Sequence, residues 1–163
     1  MEPEEFVRFL YPSAKQVEQE TGISAAAMIA QAALETGWLK TTVKDRYDGR
    51  ASYNLFNLTG EGPAGSVRAL DSEHWVGGQR TIEHRFRAYH SYEESFRDYA
   101  NLILEAPRYA QAAAVRSDPL RYVAALRAAG YATDPSYVQK VESILLKYVW
   151  PAMNRIEAGA QQS

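Results

Sequence analysis

Cysteine is missing from all 163 residues. That removes disulfides, thiolate metal sites and a cysteine nucleophile from consideration, and leaves the compartment open. Long apolar runs are missing too: no segment reaches the roughly 18 apolar residues that span a bilayer. The opening Met1-Glu2-Pro3-Glu4-Glu5 lacks the apolar stretch of a signal peptide. Charge of one sign is scarce. Eighteen Lys and Arg against 20 Asp and Glu give a formal net charge of −2, without the basic footprint of a nucleic-acid binder or the charge run of a membrane-surface patch. Histidine is limited to His74, His84 and His90. His74 and His84 can face each other across a hairpin, but no third ligand is evident, so no metal and no cofactor are expected.

What remains is ordinary globular material. Apolar residues make up 46% and charged residues 23% of the chain, enough to build a core at this length. The expectation is one domain over residues 1–155, a monomer, with a flexible tail from 156 to 163. Helices are expected at both ends around a short β region, an α+β architecture with a mainly helical body and one small β-hairpin lobe. The first helix spans Pro3 to Glu20, stopped by Gly22; the second runs from an N-cap at Ser24 to about Leu39. Ser66 to Val76 and Gln79 to Tyr89 read as hairpin arms around a Gly77-Gly78 turn; in the second arm Ile82, His84, Phe86 and Ala88 alternate with polar residues. Ser91 and Glu94 have capping-box spacing. Asp118-Pro119 and Asp134-Pro135 each open a helix with Asp as N-cap and Pro next, and Pro151 limits the last one.

The second helix carries the informative oddity. Between Glu20 and Lys40 the only charged residue is Glu35. Such a helix is apolar nearly all round and belongs inside the body, and Met28, Ala32, Glu35 and Leu39 fall on one stripe of it, with Trp38 facing roughly the same way. An ionised carboxylate is expensive to bury without a partner. Glu35 therefore faces a solvent strip or an arginine, or it stands in a cleft with an apolar back, where desolvation raises its pKa and keeps it protonated. A glutamic acid beside a tryptophan is how lysozyme protonates a glycosidic oxygen.

At this point a resemblance enters. Ala30-Gln31-Ala32-Ala33-Leu34-Glu35-Thr36-Gly37-Trp38 resembles the catalytic helix of glycoside hydrolase family 73, and most of all that of the wall-hydrolysing domain of flagellar rod-associated muramidases. Ser52-Tyr53-Asn54-Leu55-Phe56, Phe86-Arg87-Ala88-Tyr89 with Ser91-Tyr92, and Gly130-Tyr131-Ala132-Thr133-Asp134-Pro135 with Tyr137 follow in the family's order. The resemblance spans about residues 4 to 150. It implies a lysozyme-like fold with a cleft between body and lobe, and cleavage of the β-1,4 link in peptidoglycan glycan strands. It also implies action in the periplasm or at the cell wall, with flagellar rod proteins as partners. Glu35 aligns with the general acid, and Tyr131 with a tyrosine beside the cleaved bond.

A second carboxylate belongs in the β-lobe. Glu73, at the end of the first hairpin arm, is the choice, with Asp71, Glu61 and Glu83 as rivals; the substrate's own N-acetyl group is another candidate nucleophile. Tyr53, Asn54 and Phe56 are expected on the cleft floor, where an amide can bond an acetamido group and rings can pack on sugars. Trp75, near the hairpin tip, is expected to touch glycan. The same helix and acid would serve a lytic transglycosylase, and a non-catalytic wall-binding module could keep the fold. The chain departs from the family pattern at Asp48-Gly49, in the loop from Thr59 to Gly65, and at Asn57, where a glycine commonly follows the SYNLF motif. The rod-capping domain of the two-domain flagellar proteins is not seen in this sequence.

Overall fold

A computed structural model describes residues 1–75 and 77–161, and only the backbone at 72–75. Seven α-helices and one hairpin follow in the order α1 (Pro3–Thr21), α2 (Ala25–Thr36), β1 (Ser66–Trp75), β2 (Gly78–Arg87), α3 (Tyr92–Glu105), α4 (Ala110–Ala114), α5 (Pro119–Ala128), α6 (Tyr137–Ile144) and α7 (Trp150–Gln161). A 3₁₀ turn, Pro107–Tyr109, leads into α4, and a π turn, Leu145–Val149, joins α6 to α7. No helix among the described residues is long and apolar enough to cross a membrane.

The body is built around α2. Nine consecutive residues, Ala25 to Ala33, are buried, six of them alanine. Small side chains let α1, α5, α6 and the π turn pack closely on it, and tight packing is what gives a core its dispersion energy. Ser24 caps the start, accepting from the Ala27 N–H at 3.2 Å; an N-cap of this kind stabilises a helix by about 1 kcal/mol. The end comes three residues before the expected Leu39. Gly37 takes the left-handed conformation (φ 55°) and its N–H returns to the Ala33 carbonyl. Trp38 and Leu39 are left-handed as well, so the chain turns sharply away instead of adding another helical turn.

The other helix boundaries follow their caps with two differences. Ser91 accepts from Glu94 N, and Asp118 accepts from Leu120 N and Arg121 N, as expected. Asp134-Pro135 does not open α6 directly: Asp134 Oδ1 accepts from Ser136 N at 2.8 Å, a local turn, and the helix begins at Tyr137. Pro151 does not end the last helix either. It lies in the first turn of α7, just after the π turn, where its missing N–H costs little and the widened turn gives its ring room. The helix continues through residues 156–161, the stretch expected as a tail. Tyr11 donates to Glu157 at 3.3 Å, and Arg155 pairs with Glu4, both tying α7 to α1.

The lobe is a two-stranded antiparallel sheet. Trp75 pairs with Gly78, so residues 76 and 77 lie between the strands. Gly78 thus belongs to β2 and not to the Gly77-Gly78 turn expected; position 76 is outside the described residues. Gly78 begins β2 with φ 130°, a value that suits glycine alone. His84 pairs with Ala69 and His74 with Gln79, so the two histidines are not cross-strand partners. At the root, Val67, Phe86 and Ala88 form a small second core with Val43, Ala64 and Ala69 around it.

One carboxylate holds the lobe to its loop. Asp45 is buried and accepts from the backbone N–H groups of Arg68 (2.8 Å), Tyr47 and Asp48 (3.1 Å each). These bonds hold its carboxyl well below the usual carboxylate range, because they favour the charged form. Stability from such a group is present above the ordinary carboxylate range and is lost as pH falls through its own depressed value. Asp45→Ala is therefore expected to melt below wild type at neutral pH, with the gap closing in strong acid; calorimetry across pH measures both.

Candidate active site

Three depressions surround the exit of α2, and Glu35 lines all of them. The first, about 440 Å³, lies against Tyr131, Asp134, Tyr137 and Lys140. The second, about 370 Å³, runs under the lobe beside Val43, Ala69, Asp71 and Phe86. The third, about 300 Å³, is floored by Phe56, Leu102, Tyr109 and Tyr131. Together they form a groove between body and lobe with one carboxyl group at their meeting point.

Burial pushes the Glu35 pKa up, and a hydrogen bond from Asn57 opposes part of that rise. Asn57 Nδ2 donates to Glu35 Oε2 and to the Glu35 carbonyl, 3.2 Å each. No arginine or lysine is paired with Glu35 among the described residues, which removes the structural reading of this acid as half of an ion pair. The apolar backing is not Trp38. That ring packs edge-on between Phe6 (5.3 Å) and Tyr148 (5.4 Å), because the left-handed turn after Thr36 carries it away from the groove. Leu34, Phe56 and Tyr131 stand at the groove walls instead.

Behind the wall runs a buried polar chain. Gln31 Nε2 donates to Tyr137 OH at 2.7 Å, Tyr99 OH donates to Gln31 Oε1 at 2.6 Å, and Tyr99 and Tyr122 share a further bond of 2.6 Å. Leaving such a group unpaired would cost about 1–3 kcal/mol, and no buried side-chain polar atom among the described residues lacks a partner. The chain fixes the rings on which Tyr131 rests: Tyr131 meets Tyr99 edge-on at 6.1 Å and lies tilted on Tyr137 at 6.0 Å. Burial raises the Tyr131 pKa far above that of a free tyrosine, so its hydroxyl stays protonated.

The expected site residues divide. Glu35, Tyr131 and Phe56 come together at the groove; Phe56 stacks on Tyr99 with centroids 4.0 Å apart. Asn54 does not reach it. It is fully buried, its amide donates to the Leu58 and Arg87 carbonyls (2.9 Å each), and its Oδ1 accepts from Phe56 N and Leu58 N. Its hydrogen-bonding capacity is spent on folding the loop, which corrects the expectation of an acetamido contact. Tyr53 lines none of the three depressions; it packs edge-on against Tyr92 at 5.1 Å. Of the carboxylate candidates, Asp71 lines the depression it shares with Glu35. Glu83 is held by Arg46 and the Tyr47 hydroxyl, and Glu61 lines none of the three depressions. The side chains of Glu73 and Trp75 lie outside the described residues; the backbone of Glu73 pairs with Arg80. Asn57 was legible only as a departure from a motif, and its contact with Glu35 was not foreseen.

The glucosaminidase profile, described as mannosyl-glycoprotein endo-β-N-acetylglucosaminidase, matches residues 11–149. The chain belongs to the glucosaminidase family. The peptidoglycan hydrolase FlgJ of Pseudomonas aeruginosa is 41% identical over 144 residues, 86% of this chain and 36% of the relative. The glucosaminidase chain thus spans little more than a third of that relative, and less than half of the FlgJ proteins of Vibrio parahaemolyticus and Escherichia coli. Among solved structures, a peptidoglycan hydrolase mutant from Sphingomonas sp. A1 superposes with a TM-score of 0.77 at 38% identity, covering 93% of this chain and 99% of that one. The glycoside hydrolase domain of Salmonella typhimurium FlgJ also gives 0.77, at 29% identity, covering 99% and 96%. The α+β, lysozyme-like fold expected from the motifs is the fold of this family.

A raised carboxyl pKa has a cost for the glucosaminidase fold. Below the ordinary carboxylate range Glu35 is protonated whether folded or not. As pH rises through that range toward the elevated folded value, only the unfolded chain ionises freely, so stability falls. Glu35→Gln, which keeps the shape and still accepts from Asn57, is expected to be as stable as wild type in acid and more stable at neutral pH. Thermal melts at the two pH values check this.

Proposed function

We propose that this chain hydrolyses the β-1,4 glycosidic bonds of peptidoglycan glycan strands, with Glu35 as general acid. The observation that carries the reading is one carboxyl group, its pKa raised by burial, where three depressions of a groove meet. A carboxyl group that keeps its proton to higher pH than usual is what the departing sugar oxygen requires, and proton donation of this kind accelerates reactions by roughly 10²–10⁴-fold. The Glu35 O–H bond breaks as the C–O bond to the leaving group opens, and the leaving oxygen takes the proton.

The second carboxylate comes from the lobe, with Glu73 as the first assignment and Asp71, which shares a depression with Glu35, as its rival. Its role is to activate water or to stabilise the oxocarbenium-like centre. Tyr131, held on the ring cluster with its hydroxyl protonated, orients the sugar beside the bond or meets developing charge. Phe56 floors the groove, and Trp75 extends the contact along the lobe. Several FlgJ relatives carry the name peptidoglycan hydrolase, which supports the substrate class. The place of action is then the periplasm or the wall, and the motif resemblance extends the proposal to flagellar rod proteins as partners.

Lysis of purified peptidoglycan with mass spectrometry of the soluble products tests the reading. Wild type is expected to release fragments with water added at the reducing end, and Glu35→Gln to lose at least 10²-fold in rate while remaining folded. Anhydro products would reassign the chain to a lytic transglycosylase, and full activity in Glu35→Gln would remove the acid assignment. Glu73→Gln and Asp71→Asn, measured side by side, identify the second carboxylate by which one collapses turnover. Tyr131→Phe is expected to lower kcat more than it raises KM.

A further inference from the structure

We infer that Asn57 is a positioning residue for Glu35: its side-chain amide holds the carboxyl group by Oε2 and leaves Oε1 to carry and deliver the proton. The inference rests on the glycosidase reading above and assigns a task to a side chain that reading does not use.

The geometry is a two-point clamp. Nδ2 lies 3.2 Å from Glu35 Oε2 and 3.2 Å from the Glu35 carbonyl oxygen. That carbonyl is in the last turn of α2, where backbone oxygens have no intrahelical donor; the Leu39 N–H that a longer helix would bring to it donates to Thr36 Oγ1 at 3.0 Å instead. A backbone carbonyl only accepts, so Asn57 must present its NH₂ edge, whose two N–H bonds suit two acceptors. Oε2 is then an acceptor in either protonation state, and a protonated Glu35 carries its hydrogen on Oε1. When that proton passes to the leaving oxygen, the charge left on the carboxylate meets a donor already in place, with nothing to reorganise.

The backbone supports the same conclusion. Asn57 has φ 52°, in the left-handed region that glycine enters without strain and asparagine more readily than most residues. Glycine is common here in the motif this stretch resembles, so the side chain is not needed to form the loop. The charged and titratable groups that line the depressions with Glu35 are Tyr109 in the 3₁₀ turn, Tyr131 after α5, Asp134 before α6, Tyr137 and Lys140 on α6, and Asp71 on β1. Among the described residues, only Asn57 hydrogen-bonds the carboxyl group. Its bond favours the charged form and so restrains the rise that burial imposes.

Asn57→Gly removes the clamp and keeps the backbone. Two measurements are made on wild type and variant: a carbon-13 titration of the Glu35 carboxyl group, and the pH dependence of kcat on peptidoglycan. The expected result is that Glu35 titrates at higher pH in Asn57→Gly and that the alkaline limb of kcat moves the same way. At the wild-type optimum kcat should fall about tenfold, the loss of one hydrogen bond to a charged group, with KM little changed. Coincident titrations with an unmoved alkaline limb would overturn the inference and leave Asn57 as a helix-end cap. Retained activity in Glu35→Gln would overturn the acid reading beneath it; the carboxyl titration needs no turnover and still decides the clamp.

Discussion

Desolvation of one carboxyl group at the end of one helix organises this protein. α2 is so apolar that it can only run through the middle of the body, and Glu35 is the one ionisable group it carries out of the core. Its place in the last helical turn adds to the effect of burial, since the negative end of the helix dipole disfavours a second negative charge. An isolated buried charge would be intolerable; a half-buried acid that opens onto a groove and can remain protonated is not. The left-handed run from Gly37 to Leu39 completes the arrangement, turning the chain away so that the groove stays open.

The remaining buried polar groups act as fasteners. Gln31 joins Tyr137 of α6 to Tyr99 of α3, which in turn bonds Tyr122 of α5, behind the groove wall. Asn54 folds the loop leading to Phe56 and Asn57, while Asp45 joins a second loop to β1. At the base of the lobe Arg87 donates to the Thr59 carbonyl and pairs with Asp98, which also accepts from Tyr89. The Gln31 and Asn54 networks lie in a low-dielectric place, where hydrogen bonds are strong and an unmet one is costly, while the Arg87–Asp98 pair is half-buried. Such networks hold specific geometry, and the groove needs it, because its two sides come from segments far apart in sequence.

The lobe and the body have different anchoring. The body has a large continuous core, whereas the lobe has a small one at its root, and its strands run outward with mostly exposed residues on β2. An isolated two-stranded hairpin is marginal in water, so the lobe depends on the bonds at Asp45 and Arg87 for its position. Those contacts, more than pairing between the strands, set where the Asp71 side of the groove stands relative to Glu35.

The sequence alone determined most of the elements and singled out Glu35. Caps at Ser24, Ser91 and Asp118, the alternation in β2 and a lone charge in an apolar helix are local facts, and local chemistry fixes them. The motifs also carried the family. Only the tertiary structure decided which polar residues face the groove and which are consumed by folding. Asn54 and Asn57 are three positions apart in one loop; one is fully buried among backbone groups and the other bonds Glu35. Nothing in their type separates them, because the difference lies in where the left-handed turns at Tyr53 and Asn57 aim the chain. Trp38 follows the same rule: its spacing put it beside Glu35, and the left-handed run from Gly37 to Leu39 placed it between Phe6 and Tyr148 instead, because a helical period predicts facing only while the helix lasts.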